Sequence, residues 1–550
     1  MKKPALLLFI SALTVSLYAQ NPSNLYYWVK FKNKDNDGFS INNPQQFLSQ
    51  KSIDRRAFQN IAIDTGDLPI TQAYIDSITP YTTRLVHRLK WFNMVVVEMD
   101  DSTKVDSVKR FSFVDSVAPI IYFPYKALHQ QNKFEELTPV DQSITYPNSY
   151  GASYHQLNML NVDLLHQLGY KGQGITIAMM DNGCMNVNRL SAFDSVRPRI
   201  LGTWDFVHNQ QDIYNDGGHG TNTFSCIAAN MPGKYVGAAT GADFYLFQSE
   251  DNEHEWAMEE YNWAAAAEMA DSVGAQLFST SLGYTTFDDD LGSNTYADLN
   301  GNKTVITQAA NTAFSKGILV FNSAGNDGAN LWHYISAPAD GDSVIAVGAV
   351  DSTRAVAGFS SRGPNSAGRV KPDLCAQGGG VYVVNVFGNA GASAGTSFSC
   401  PILAGSAAAL WSAFPNKTAQ EIKDAIMISA DHFWSPDSLH GYGIPNLYNA
   451  YLLLKTNYNS NELQLGTDVR VYPNPFSNEL HIALYGTVGA KHSVEIFDMA
   501  GRCVCSKDFY IRDNTFEVLT FEEAGKLPDG EYVIRYDHNR DYTHPIMKMK

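Results

Sequence analysis

Three short stretches of this chain each set a chemically useful side chain beside glycine. Asp181 closes the apolar run "IAMMDNG", His219 stands in "GGHGTN", and Ser397 stands in "GTSFSCP". A serine hydroxyl is a poor nucleophile at neutral pH. It needs an imidazole to take its proton and a carboxylate to hold that imidazole in the productive tautomer. The roles these types suggest are Ser397 as nucleophile, His219 as general base and then acid, and Asp181 as its orienter. Singly, each has a plainer reading: a strand-end cap, a solvated loop histidine and a helix N-cap. The three are far apart in sequence, so only folding can join them.

The elements that must position them are legible. From about 154 to 455, short apolar strands ("GITIAMM", "AQLFSTS", "GILVFNS", "SVIAVGAV") alternate with helical patterns, the signature of βαβ units and a mostly parallel sheet. Asp181 then emerges at a strand's carboxyl end, where α/β sheets bind ligands. Thr418 and Glu421 open "TAQEIKDAIMIS" as a capping box. Pro401 is placed early in the helix after Ser397, where its missing N–H is of little consequence. The small residues Ala404, Gly405, Ala407 and Ala408 let that helix be buried tightly.

The rest of the chain divides around this region. Residues 26–117 mix strand-like "YYWVKF" and "MVVVEM" with a helical "NPQQFLSQKSIDRRAFQN", a small α+β unit. A loop-rich stretch at 130–153 follows, the kind of place where proteolysis occurs. Beyond about 468 the period changes to two, as in "ELHIAL", "SVEIFDM" and "EYVIRY", which suggests an all-β sandwich. The division expected is 1–19, a signal peptide; 20–145, a prodomain; 146–456, the catalytic domain; 457–467, a linker; and 468–550, the β-sandwich.

Composition excludes some classes. A net charge of −16 and a pI near 5.3 argue against nucleic-acid binding. Lys2 and Lys3 precede an apolar run, Ala5 to Leu17, that is shorter than the roughly 20 residues needed to span a bilayer. Six cysteines form no C-x-x-C pair, and both free buried thiols and disulfides stay open. Bridging Cys503 to Cys505 would be strained. No metal-ligand set is evident and the chemistry requires no cofactor. Structural calcium at "DLNGN", Asp298 to Asn302, is open but unsupported, since the spacing is not that of an EF-hand.

The order Asp, His, Ser is one of three known for this kind of triad. With "SLG", "SAGNDG", "FSSRGPN", "KPDLCAQG" and "GYGIPN", the triad stretches resemble the subtilisin-like serine proteases (peptidase S8) over roughly 300 residues. An α/β-hydrolase is the nearer rival, but its G-x-S-x-G elbow is not met, because Ser399 stands where the second glycine should be.

The resemblance implies that Asn326 and the Ser397 N–H bind the oxyanion, and that Ser281, Leu282 and Gly283 form an edge to which an extended peptide adds. Asp327 could bias the pocket towards cationic residues, and a Cys226–Cys400 bridge is conceivable. The resemblance also implies a prodomain cut off within 130–153. The tail resembles the type A C-terminal sorting domain of the type IX secretion system, with a carbohydrate-binding or spacer module as alternative.

The partners expected are protein or peptide substrates and the type IX machinery, for a monomer secreted across the outer membrane to the cell surface or beyond. The rivals are a catalytically silent surface-binding protein of the same fold and a processing protease for one dedicated partner.

Overall fold

The computed structural model describes residues 25–35, 38–120, 138–139, 149–290, 292–433, 435–455, 469–472, 476–478, 480–485, 491–510, 516–536 and 539–549. The expected signal peptide, the 457–467 linker and much of the 130–153 loop lie outside them. Among the described residues no helix is long and apolar enough to cross a membrane.

The N-terminal unit is an antiparallel sheet of order β2-β3-β1-β4, built from Leu25–Phe31 (β1), Arg84–Leu89 (β2), Met94–Met99 (β3) and Val114–Ile120 (β4). Helices Gln50–Phe58 (α1), Gln72–Ile78 (α2) and Lys104–Lys109 (α3) complete it. Alternation along β3 explains why "MVVVEM" is buried throughout. Val95 and Val97 join Ile75, Ile78, Val105 and Val108 from α2 and α3, while Met94 and Val96 face the next domain. Part of the following loop, Thr138–Pro139 (β5), is described.

The central domain opens with helices Tyr154–Asn158 (α4) and Val162–Gln167 (α5), then Thr176–Asp181 (β6), Ile200–Asp205 (β7) and Gly218–Ala228 (α6). A short hairpin, Asn230–Met231 (β8) with Tyr235–Val236 (β9), leads to Asp243–Gln248 (β10) and Met258–Val273 (α7). Leu277–Thr280 (β11), Val305–Ser315 (α8), Leu319–Ser323 (β12), Ile345–Val350 (β13) and Leu374–Gln377 (β14) follow. Last come the hairpin Val381–Val384 (β15) and Ala390–Ser393 (β16), and helices Thr396–Ala413 (α9), Ala419–Ile428 (α10) and Leu447–Lys455 (α11). The capping box of Thr418 and Glu421 is present at α10.

Seven strands form a parallel sheet of order β14-β13-β12-β11-β6-β10-β7. Alternate residues serve two helical layers. Ile177, Met179, Leu277 and Leu319 pack with residues of α6, α9, α10 and α11, and Ala178, Met180, Phe278 and Val320 pack with α7 and α8. With both faces covered, the strands read as continuous apolar runs. The order reverses around β6, so Asp181 ends a strand at the switch point. On a separate small sheet, Thr138 and Pro139 pair with Ala392 and Gly391 of β16. Part of the 130–153 loop thus lies beside the strand that leads into Ser397.

The N-terminal unit docks on α7 and α8 through buried charge. Arg55 reaches Asp271 at 2.5 Å, and Arg56 pairs with Asp271 at 2.9 Å and with Asp67 at 2.7 Å. Glu268 of α7 accepts from the Lys90 and Trp91 N–H groups at 2.7 and 2.9 Å, and His87 Nε2 meets Asn262 Oδ1 at 2.7 Å. Such pairs specify a docking register more than they stabilise it.

The tail holds Val469–Tyr472 (β17), Leu480–Tyr485 (β18), Lys491–Asp498 (β19), Cys503–Tyr510 (β20), Phe516–Phe521 (β21), Gly530–Tyr536 (β22) and Asn539–Lys548 (β23). They form two sheets, β17-β18-β21 and β20-β19-β22-β23, around a shared core that includes Ile482, Ile496 and Ile534.

All six cysteines are free thiols, so the conceivable Cys226–Cys400 bridge is not formed. Cys184, Cys226, Cys375 and Cys400 are buried, but Cys503 is exposed and Cys505 half-exposed, because their strand β20 is the edge of its sheet. Burial pushes the Cys226 thiol up to about 12, which keeps it protonated.

Candidate active site

Asp181 ends β6 fully buried, its carboxylate saturated with donors. His219 Nδ1 lies 2.7 Å from Oδ1, which also accepts the Asn182 N–H at 2.8 Å, and Thr223 Oγ1 donates to Oδ2 at 2.8 Å. A carboxylate so surrounded can only accept, so Nδ1 carries the proton and Nε2 is left as the basic nitrogen.

Local sequence fixes the imidazole. His219 is the second residue of α6, whose start is pressed onto the loop after β6. A Cβ on Gly217 would fall 2.2 Å from the Asn182 oxygen, and one on Gly220 would fall 1.8 Å from the Gly183 oxygen. Gly217 also has φ 83°, a left-handed conformation that glycine adopts without strain. Asn182 Oδ1 accepts the Gly220 N–H at 2.9 Å, closing the contact. Gly217 and Gly220 of "GGHGTN" are therefore steric requirements for bringing His219 to Asp181, whereas a Cβ on Gly218 would meet only Val386 at 3.4 Å.

Ser397 is the second residue of α9, a helix buried almost end to end. The next residue, Phe398, has its ring centroid 6.0 Å from that of His219, so the start of α9 lies against the imidazole. The helix dipole favours negative charge at this end.

Pro401 is not where the sequence reading put it. The helix starts at Thr396, so Pro401 stands in its second turn, and the N–H it lacks is the one that would donate to the Ser397 carbonyl. Ser281 supplies the donor instead, its Oγ donating to Ser397 O at 2.7 Å. The backbone of the serine is thus held by a neighbouring strand end rather than by its own helix.

Asn326 follows β12 and is exposed. Its Oδ1 accepts from both the N–H and the Oγ1 of Thr396 at 2.9 Å, which turns the Nδ2 donors away from Thr396. Of the expected peptide-binding edge, Ser281 and Leu282 are buried. The Leu282 carbonyl accepts from Asn322 Nδ2 at 2.8 Å and Ser323 Oγ at 3.3 Å, and Gly283 is exposed. Asp327 accepts from Asn330 Nδ2 at 2.9 Å within its turn. The Asp298 carboxylate of "DLNGN" is taken by Thr295 and by the Lys303 ammonium.

The matching family profile decides what this arrangement belongs to. The model of the subtilase family, Peptidase S8, matches residues 172–450, just over half of the chain. The chain is a member of the subtilase family. Two further domains of this subtilase are matched: residues 26–136 by the Peptidase S8 propeptide domain of Bacteroidota, and residues 470–548 by a secretion system C-terminal sorting domain.

Among its relatives, subtilisin E of Bacillus subtilis (strain 168) is 28% identical over 355 residues, which cover 62% of this chain and 82% of the relative. The subtilisin of Bacillus pumilus is 29% identical over 306 residues, covering 54% and 97%. Serine protease AprX of Bacillus subtilis (strain 168) is 27% identical over 315 residues, covering 51% and 66%. This subtilase is a serine endopeptidase with a propeptide and a secretion sorting tail.

Four contributors escaped the sequence reading: Thr223, Asn182, Thr396 and the supporting role of Ser281. Thr223 stands four residues after His219, on the same face of α6, so helical spacing alone could have raised it. Asn182 is the neighbour of Asp181 in "DNG" but holds Gly220 across the fold, and Thr396 and Ser281 act across chain segments and left no such signal.

Proposed function

We propose that this subtilase is made with a signal peptide, residues 1–19, and a prodomain, residues 20–145, and is exported to cleave proteins through an acyl-enzyme formed on Ser397. The observation that carries this reading is the 2.7 Å contact of His219 with Asp181 beside the start of the helix that bears Ser397.

His219 Nε2 takes the Ser397 proton as the hydroxyl attacks a peptide carbonyl. Asp181 stabilises the imidazolium, which then protonates the leaving amine. Asn326 Nδ2 and the Ser397 N–H receive the oxyanion, with Thr396 fixing the Asn326 amide. Gly283 pairs with the peptide main chain, so backbone rather than side chains is read. His219 loses its base function when protonated at acidic pH.

The decisive experiment labels the processed protein with a fluorophosphonate and maps the adduct. Labelling of Ser397 that disappears in Ser397→Ala supports the reading. A folded, prodomain-free protein that takes no label would instead be a silent binding protein of the subtilase fold.

The prodomain leaves after a cut within 130–153, beside β16, and Ser397→Ala should accumulate as the uncut precursor. Residues 468–550 address the chain to the type IX secretion machinery, and their deletion should hold it in the periplasm. Unchanged export of the truncated chain would refute that role.

A further inference from the structure

After α10 the chain makes an excursion, 430–445, that carries none of the residues described above. It is a hairpin in all but name. Ala430 and Pro445 pair antiparallel, the Asp431 N–H donates to Ile444 O at 3.2 Å, and the His432 N–H donates to Tyr442 O at 2.9 Å. Asp437 and Gly441 close the tip.

The excursion is stitched to the body. The Tyr442 N–H donates to Asp373 O at 2.8 Å, and the Cys375 N–H donates to Gly443 O at 2.9 Å. A Cβ on Gly441, which has φ 61°, would fall 1.9 Å from Pro372 O. Whatever the hairpin presents is therefore held in place before anything binds it.

It presents two imidazoles and a carboxylate to one point. The ligand-capable atoms of His432, Asp437 and His440 lie within 4.8 Å of one another. The two rings stand perpendicular at 87°, with centroids 4.7 Å apart. Asp437 Oδ1 is used by the tip, accepting the Leu439 and His440 N–H groups at 2.7 and 2.6 Å, while Oδ2 faces His440 Nδ1 at 3.2 Å.

Across the hairpin, His432 Nδ1 is buried with no hydrogen-bond partner. A buried ring nitrogen without a partner, on a residue of this cluster, is an unfavourable arrangement unless something binds there. Neighbouring Asp431 is otherwise engaged, by Arg354 at 3.0 Å and by the Ile444 N–H at 2.7 Å.

We propose that His432, Asp437 and His440 bind a divalent transition-metal ion of the zinc class that ties the two arms of this hairpin. Two nitrogens and one carboxylate oxygen are a zinc-type donor set, whereas calcium and magnesium take oxygen alone. Three protein ligands leave a fourth position, which the exposed side of the hairpin opens to water. Zinc takes such donors at about 2.0–2.2 Å, so the three must close in on the ion as it binds. The role is structural: no donor belongs to the proposed Ser397, His219 and Asp181 machinery.

The test uses the full-length Ser397→Ala precursor, stripped with a chelator and titrated with zinc chloride and separately with cobalt chloride. One equivalent of zinc should bind with calcium unable to compete, and cobalt should develop visible d–d absorption. His432→Gln and His440→Gln should each weaken that equivalent by more than the roughly 10- to 100-fold typical of losing an outer-shell partner. Asp437→Asn, at an exposed position, is the variant least able to disturb folding and should also lose affinity. Zinc should protect the 430–445 segment from proteolysis in the parent and not in the variants. Zinc bound with parental stoichiometry and affinity by all three variants, or no zinc bound by the parent at micromolar metal, overturns the proposal.

Discussion

Ser281→Ala is the substitution whose consequence follows most directly from the geometry. It removes the hydroxyl that donates to Ser397 O at 2.7 Å, at a helical position where Pro401 offers no N–H in its place. A buried carbonyl deprived of that donor is destabilised by about 1–3 kcal/mol. If the Ser397 backbone shifts to relieve this, the serine leaves its attack position. The loss then falls on the chemical step, at roughly 5- to 150-fold in kcat with KM little changed.

The control is Pro401→Ala in the same chain, because the alanine brings back the N–H that a regular helix donates to Ser397 O. The double variant Ser281→Ala/Pro401→Ala should therefore recover most of the lost kcat, a coupling that a double-mutant cycle reads directly. Steady-state kinetics on a peptide amide and the rate of fluorophosphonate labelling of Ser397 supply two independent readouts. Parental kcat in Ser281→Ala, or a double variant no better than the single, would refute the reasoning.

Three further outcomes are expected. Asn326→Ala should lower kcat about 100- to 1,000-fold, the effect seen on removing such a donor in subtilisin, with KM nearly unchanged; a purely KM effect would place Asn326 in ground-state binding. Gly220→Ala should abolish labelling of Ser397, since its Cβ would lie 1.8 Å from the Gly183 oxygen and drive His219 away from Asp181; a fully active variant would show that this contact yields.

Prodomain docking should vary with pH through two opposed groups. Burial lowers His87 to about 4 despite its bond to Asn262, so docking through it is intact above the usual value near 6.5 and weakens as pH falls towards 4. Burial raises Glu268 to about 7 against the pull of Lys90, so it contributes below the usual carboxylate value and that contribution is lost as pH rises through 7. Inhibition of the mature enzyme by added prodomain should then change little between pH 7 and 5. It should tighten on acidification in His87→Gln and weaken in Glu268→Gln, by up to about tenfold per pH unit. Identical pH profiles in all three proteins would exclude both groups.

The sequence by itself determined which elements exist and which residue types they carry. Strands buried on both faces read as apolar runs, so β6, β11, β12 and β13 were legible in "GITIAMM", "AQLFSTS", "GILVFNS" and "SVIAVGAV", and the Thr418–Glu421 box is a local interaction that needs no distant partner. Asp181, His219 and Ser397 could be singled out as a set because their types and order fit one chemistry, and Asn326 only through the resemblance carried by the spaced motifs around them. Tertiary structure alone decided what those side chains meet. That Thr396 turns the Asn326 amide, that Ser281 takes over for the N–H missing from Pro401, and that His432 faces Asp437 and His440 all depend on strand order and helix start points. A shift of about three residues in where the helix begins moves Pro401 from a harmless first turn to a second turn that needs an outside donor. Hydrogen bonds between distant segments are set by that register to within fractions of an ångström, and neither composition nor periodicity carries it.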